Sequence, residues 1–208
     1  GGDKAGREPW RSAAALHWEC GREWGSDIDS DGIARAAWDN DLNCPASSAA
    51  GRLFDAAAAA ICGLPTASFE AQGPMQLEAL CQDIQEGIDC ELLEGDDGVL
   101  RIDWEPLLDV IGDVSMEPRL RAEIFHASMA DAIVGQAAAA RERYNFAQVG
   151  LCGGVFQNRF LAELAIAGLE EAGFHLHLPQ ALPCNDAALS FGQAEEAAAR
   201  RPHQPRKP

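Results

Sequence analysis

This sequence predicts an α/β fold, and three observations carry that expectation. The stretch Val149-Gly-Leu-Cys-Gly-Gly-Val-Phe-Gln-Asn158 starts apolar, reaches a double glycine at Gly153 and Gly154, and leads into an amphipathic segment from Arg159 to Gly173. That order describes a buried strand, a tight glycine turn and a helix. The run Phe174-His-Leu-His-Leu178 alternates with the period of two that a strand requires. Apolar residues also recur at intervals of three and four from Glu117 to Tyr144, the longest helical pattern in the chain. Strand–turn–helix units mixed with large helices define the α/β class.

The elements follow in order. Glu8-Pro9-Trp10 opens a helix, because proline is tolerated in a first turn, and the pattern extends to about Trp24. A polar break spans Ser26 to Ser30, and Asp31 to Asn40 is a short helix with Ile33, Ala37 and Trp38 inward. Ser47 or Ser48 is placed to cap a helix running through Gly51, Leu53, Phe54 and Ala58, which Cys62-Gly63 ends. Phe69 to Cys81 is helical, with Gly73-Pro74 interrupting its start. Asp83 to Gly98 holds seven acidic residues and no base, which reads as a solvated rim with one edge strand near Cys90 to Leu93. Val99 to Trp104 alternates as a strand, and Glu105 to Ile111 is a short helix. After the two strands near the C-terminus, a final helix runs from Asp186 to about Arg200. The organisation is one unit over 1–201 and a basic, proline-rich tail over 202–208 that is expected to be disordered.

Composition excludes some functions. A net charge of −17 argues against nucleic acid and anionic membrane surfaces as partners, because both favour basic faces. No apolar run reaches membrane-spanning length. The seven cysteines are odd in number, scattered and without a C-x-x-C pair, which points to free thiols in a reducing cytoplasm.

Several residues invite chemistry. The turn at Gly153 and Gly154 lacks Cβ atoms, so a phosphate or nucleotide can approach its backbone, and Asn158 places an amide at the helix start. The same turn also serves simple helix-on-sheet packing. Asp55 lies in an apolar run, where a carboxylate is costly unless partnered; an exposed helix face is the other reading. Asp186, just before a helix, is either an N-cap or a metal-binding carboxylate. Arg7 and Arg11 flank a helix start, as surface charges or as phosphate contacts. His126 sits in an apolar stripe and reads as a satisfied core or boundary histidine. His175 and His177 share one strand face, but no third ligand lies near them in sequence, so they are not expected to bind metal.

Five segments in order resemble the C-terminal part of the HypF carbamoyltransferases, enzymes of [NiFe]-hydrogenase maturation. They are Arg7-Glu-Pro-Trp-Arg11, Ser47-Ser-Ala-Ala-Gly-Arg-Leu-Phe-Asp-Ala56, Phe69-Glu-Ala-Gln72, Cys152-Gly-Gly-Val-Phe-Gln-Asn158 and Asn185-Asp-Ala-Ala-Leu-Ser-Phe-Gly-Gln193. Residues 83–118 carry little of the likeness. The family usually has glycine where Ala71 stands, and often two glycines at Ala187 and Ala188.

The resemblance implies the second lobe of an actin/Hsp70-like two-lobe fold, related to the TsaD threonylcarbamoyltransferases. It would have a mixed sheet with helices on both faces and helical insertions, and the first lobe would precede Gly1. It further implies binding of carbamoyl-adenylate, made from carbamoyl phosphate and ATP, and carbamoyl transfer to the C-terminal cysteine of HypE. The group carried would become the cyanide ligands of the hydrogenase iron. By the same likeness, Gly51, Asp55, Glu70, Gly153, Gly154 and Asn158 contact nucleotide, with Asp55 on the ribose, and Arg7 and Arg11 contact phosphate. Asp186 is expected to hold a divalent metal, Fe or Zn, with histidines from the first lobe. The partners implied are HypE and the upstream lobe and domains, and the piece alone is expected to be inactive. Two alternatives stand beside this reading: a small-molecule kinase lobe of the same superfamily, and a lobe that only docks a partner.

Overall fold

A computed structural model describes residues 3–25, 27–29 and 32–200; the 202–208 tail lies outside the described residues. The helices are α1 (Asp3–Arg7), α2 (Trp10–Glu19), α3 (Ile33–Asp39), α4 (Ala50–Ile61), α5 (Gln72–Leu80), α6 (Glu105–Gly112), α7 (Pro118–Tyr144), α8 (Arg159–Glu171) and α9 (Leu189–Arg200). The strands are β1 (Leu92–Glu94), β2 (Leu100–Ile102), β3 (Gln148–Gly150) and β4 (His175–His177). The expected mixed sheet does not form among these residues. Instead β1 and β2 make an antiparallel hairpin, with Leu93 opposite Arg101. β3 and β4 make a separate parallel pair, Val149 opposite Leu176, joined through α8 as a parallel crossover requires.

The 27-residue α7 is the axis of the core. It packs on α8 along one side and on α4, α5 and α6 along the others. Phe54 of α4 and Phe125 of α7 meet edge to face with ring centroids 5.0 Å apart, and both are buried. Each such ring contributes on the order of 2–3 kcal/mol through burial. At the α7–α8 crossing, a Cβ on Gly168 would come within 2.8 Å of Val134 Cγ2, so only glycine permits this approach. Arg141 ties the far end together: Nη1 donates to Ala172 O at 2.8 Å, and the guanidinium lies 4.1 Å from the centre of the Phe174 ring. A smaller cluster of Trp10, Ala14 and Ala34 holds α2 to α3, with Trp18 and Trp24 beside it.

Several expected boundaries shift. α2 ends at Glu19, because Gly21 turns into the left-handed region at φ 66°. Neither Ser47 nor Ser48 caps α4; the cap position falls on Ala49, and Ser47 Oγ instead accepts from the Ala49 N–H. Ile33 is exposed and Ala34 is buried in its place, which rotates α3 relative to the expected face. The acidic rim is largely exposed but anchored, with Arg119 on Asp83, Arg101 on Asp97 and Arg143 on Glu94.

The start of α5 shows the cost of one residue. Ala71 sits at φ 61°, ψ 13°, in the left-handed region where a Cβ is crowded. Ala71→Gly relieves that strain but adds freedom to the unfolded chain. The net expectation is a gain of about 0.5–1 kcal/mol, or roughly 1–4 °C in Tm, checked by thermal unfolding.

Candidate functional site

The glycine turn forms as the sequence suggests. Gly153 adopts φ 115°, ψ 152°, a conformation essentially closed to other residues, and leads into a short 3-10 turn over Gly154–Gln157. Its N–H donates to Cys184 O at 2.5 Å, bringing the 182–188 segment against the turn. A Cβ on Gly154 would stand 3.9 Å from Asn185 Cβ, an ordinary contact, so nothing among the described residues requires glycine there. Gly51 is similar: among the described residues, nothing beyond its chain neighbours and its own helix's backbone lies within 4 Å of its Cβ position. Both glycines leave open backbone where a ligand can approach.

Asp186 opens a second 3-10 turn and is exposed. The capping role falls to Asn185, whose side chain accepts from the Ala187 N–H at 3.1 Å. That leaves the Asp186 carboxylate free of the turn it starts. Among the described residues no group of three His, Cys, Asp or Glu side chains is placed to hold a metal ion. His175 and His177 are exposed, and His177 Nε2 pairs with Gln148 Oε1 at 3.1 Å.

Asp55 is buried rather than on an exposed helix face, at 5% exposure. Arg52, three residues earlier on α4, places Nη2 2.9 Å from Asp55 Oδ2. The approach lies off the hydrogen-bond line, so this oxygen has a charge partner but no aligned donor. Burial pushes the Asp55 carboxyl up to about 6, against the opposing pull of Arg52. A buried carboxylate left short of donors is costly to the fold and is a common mark of a functional group. The folded value lies above the unfolded one, so ionisation costs stability progressively as pH rises from about 4 to about 6. Asp55→Asn is expected to raise Tm by roughly 2–4 °C near pH 8. The gain should vanish below about pH 4, where both forms are neutral. Thermal melts across pH check this.

The arginines are placed differently from each other. Arg7 is exposed at the end of α1, where its carbonyl accepts from the Ala67 N–H at 2.8 Å. The preceding Gly6 faces Arg52 Nη1, 3.9 Å from its Cβ position, so Arg7 belongs to the neighbourhood of the Arg52–Asp55 pair. Arg11 pairs with Glu8 at 2.5 Å and covers the Trp10 ring at 4.6 Å. Glu70 is exposed in the turn before α5. α4, which carries Gly51 and Asp55, packs against the 154–157 turn.

Asn158 is committed inside the chain, at 7% exposure. Oδ1 accepts from the Leu161 N–H at 2.9 Å and caps α8, while Nδ2 lies 2.8 Å from His126 Nε2. His126 is fully buried, as its place in the stripe suggests, and burial holds its pKa down. Two partners of these residues are not apparent in the sequence. Arg52 was legible in principle from its helical spacing to Asp55. The His126–Asn158 contact joins residues 32 apart, and no local pattern encodes it.

These features define an α/β subdomain with an open glycine turn, an exposed carboxylate beside it and a buried carboxylate on the adjoining helix. The chain belongs to the HypF carbamoyltransferase family: the family model for the second subdomain of its Kae1-like domain matches residues 1–193. A carbamoyltransferase HypF homolog from Cupriavidus necator is 39% identical over 95% of the chain and 54% of its own length. Carbamoyltransferase HypF of Rhodobacter capsulatus is 35% identical over 96% of the chain and 27% of its own length. Among solved structures, a full-length HypF in a phosphate- and nucleotide-bound form superposes with a TM-score of 0.84 at 27% identity, over 96% of the chain and 27% of that protein. The chain thus spans from about a quarter to about half the length of these relatives. Among the described residues, no helix is long and apolar enough to cross a membrane.

Proposed function

We propose that this chain is the nucleotide-contacting half of a carbamoyltransferase domain, the second lobe of a two-lobe fold whose first lobe lies upstream. In this reading it binds carbamoyl-adenylate, made elsewhere in the polypeptide from carbamoyl phosphate and ATP. The carbamoyl group then passes to the C-terminal cysteine thiolate of HypE, in the cytoplasm. The single observation that supports this best is the bond from the Gly153 N–H to Cys184 O, which sets the open turn beside Asp186.

The residues divide the work. Gly51, Gly153 and Gly154 leave backbone open for the adenylate. Asp55 accepts the ribose hydroxyls, gaining the aligned donor that its Oδ2 lacks among the described residues. Glu70 lies at the rim of the same face, and Arg7 is free to meet phosphate, whereas Arg11 would first have to leave Glu8. Asn158 acts by shaping the turn, because its amide is spent on Leu161 and His126. Asp186 supplies one oxygen ligand to a divalent metal completed by imidazoles from the first lobe. That metal would polarise the carbamoyl phosphate anhydride.

Gly154→Ala separates this reading from a merely structural turn. The fold accommodates the methyl, so Tm should be unchanged, while adenylate affinity in the complete polypeptide should fall about tenfold through steric overpacking against the ligand. Unchanged affinity would remove the glycine turn from the binding site.

A further inference from the structure

We propose that His126 is a positioning residue that holds the Gly153–Gln157 turn in its ligand-ready shape through Asn158. The inference rests on the nucleotide-site reading for its use, but the device itself is internal to the chain.

His126 lies on α7, fully buried, in a box of three rings: Phe54 of α4, its neighbour Phe125, and Phe160 of α8. All three meet it edge-on, so they fix the plane of the imidazole without hydrogen bonding to it. Nδ1 stands 2.7 Å from Ala122 O, a group that can only accept, which makes Nδ1 the protonated nitrogen. Nε2 is then a bare acceptor, and Asn158 Nδ2 donates to it at 2.8 Å. The other end of the amide is set independently, since the Leu161 N–H requires an oxygen at Oδ1. One consistent chain runs from the Ala122 carbonyl, through a neutral imidazole and the Asn158 amide, to the first turn of α8. Asn158 is also the residue at which the glycine turn ends, its N–H bonded to Val155 O at 3.1 Å. The turn is thereby fastened to α7 at its C-terminal end, as the Gly153–Cys184 bond fastens it at the other.

The surroundings keep the imidazole neutral. The groups facing it are the Glu78 carboxylate of α5, whose charge favours protonation but is outweighed by burial, and the thiol of Cys81 just past that helix, 3.4 Å from Nδ1. Glu78 is itself engaged by the Arg159 N–H at 2.8 Å. From α4 and α8 the box presents phenyl rings.

Asn158→Asp tests the latch. A carboxylate keeps the cap on Leu161, and Asp is a good capping residue, so the helix start is retained. Toward Nε2, however, it presents an acceptor to an acceptor, and the pair is restored only when His126 takes a proton. The readout is amide hydrogen exchange at Gly153 and Phe156 in the 208-residue chain, whose N–H groups donate to Cys184 O and Gly153 O, expressed as protection relative to wild type. Protection is expected to fall about tenfold near pH 9, through loss of one buried hydrogen bond, and to recover near pH 6. His126→Phe fills the box without an acceptor and should show the loss with no recovery at any pH. Wild-type protection in both variants, or a loss in Asn158→Asp that ignores pH, overturns the latch.

Carbamoyl transfer to HypE by the complete polypeptide gives the second readout, with carbamoyl-phosphate-dependent ATP consumption as the control for the upstream domain. Transfer relative to wild type should follow protection across pH in Asn158→Asp; transfer indifferent to the loss of protection overturns the positioning role. Failure of the wild-type polypeptide to transfer at all would instead sink the proposed function, and the exchange data would still decide the latch.

Discussion

Asp186→Ala in the complete polypeptide is expected to cut carbamoyl transfer to HypE by on the order of 100–1,000-fold. Adenylate synthesis, which belongs to an upstream domain in this reading, should be unchanged. The physical basis is that Asp186 is exposed at the mouth of the glycine turn, and Asn185 has taken over the capping task. Removing the Asp186 carboxylate therefore costs the fold little, and Tm should move by less than about 2 °C, as for other surface changes. A structural carboxylate would show the opposite signature: lower stability with activity intact. The measurement is carbamoylation of HypE alongside carbamoyl-phosphate-dependent ATP consumption. Transfer at the wild-type rate would remove Asp186 from the metal site.

Glu123→Ala is expected to destabilise the chain by about 2–3 kcal/mol, because it strips one charged acceptor from three donors. Glu123 is fully buried on α7. Oε1 accepts from the Gln82 and Asp83 N–H groups at 2.9 Å each, and Oε2 accepts from Gln85 Nε2 at 3.0 Å. Without it, the chain leaving α5 loses three hydrogen bonds to the central helix and keeps the exposed Arg119–Asp83 pair and the Ile88 N–H to Ser128 Oγ bond. Burial alone would raise the pKa of this carboxyl, but the donated hydrogen bonds outweigh it, helped by the nearby Arg119 charge, and hold it below the usual glutamate value. A carboxylate with a lowered folded pKa contributes stability that is fully present above its unfolded value and is lost as pH falls through the folded one. Wild type should therefore lose this contribution in acid, whereas Glu123→Gln, which cannot titrate, should show a smaller deficit at neutral pH and a flatter acid limb. Melts from about pH 3 to pH 7 span the ionisation range that decides the point.

What the sequence made legible follows from distance along the chain. The glycine turn, the α8 helix and its Gly173 stop, and the long α7 are all written in local periodicity and turn chemistry, and each appears where it reads. Asp55 was legible as an anomaly, a charge in an apolar run, and its burial bears out the discomfort of that position. Glu123 was not legible, because its donors lie 38–41 residues away and nothing in Arg121-Ala-Glu-Ile-Phe-His126 marks it as an acceptor. Asn158 was half legible. An asparagine ahead of a helix is a capping signal, but its second partner arrives from α7, so a residue expected to face a ligand turns out to face the core. The mixed sheet was inferred from family likeness, whereas the local alternation foretold only the short strands that the described residues contain.

One further consequence concerns the last helix. α9 buries none of its twelve residues, and the segment before it meets the glycine turn through the Gly153–Cys184 bond. Mechanically, Asp186 sits near the pivot of a lever whose long arm is exposed along its whole length. In the proposed function, a metal ligand on such a mount has a soft aim: small rocking of α9 would swing the carboxylate across the mouth of the turn. Whatever surface α9 lies on in the complete polypeptide would then set the stiffness of that aim, and with it the precision of the chemistry, without contributing a single atom to the site.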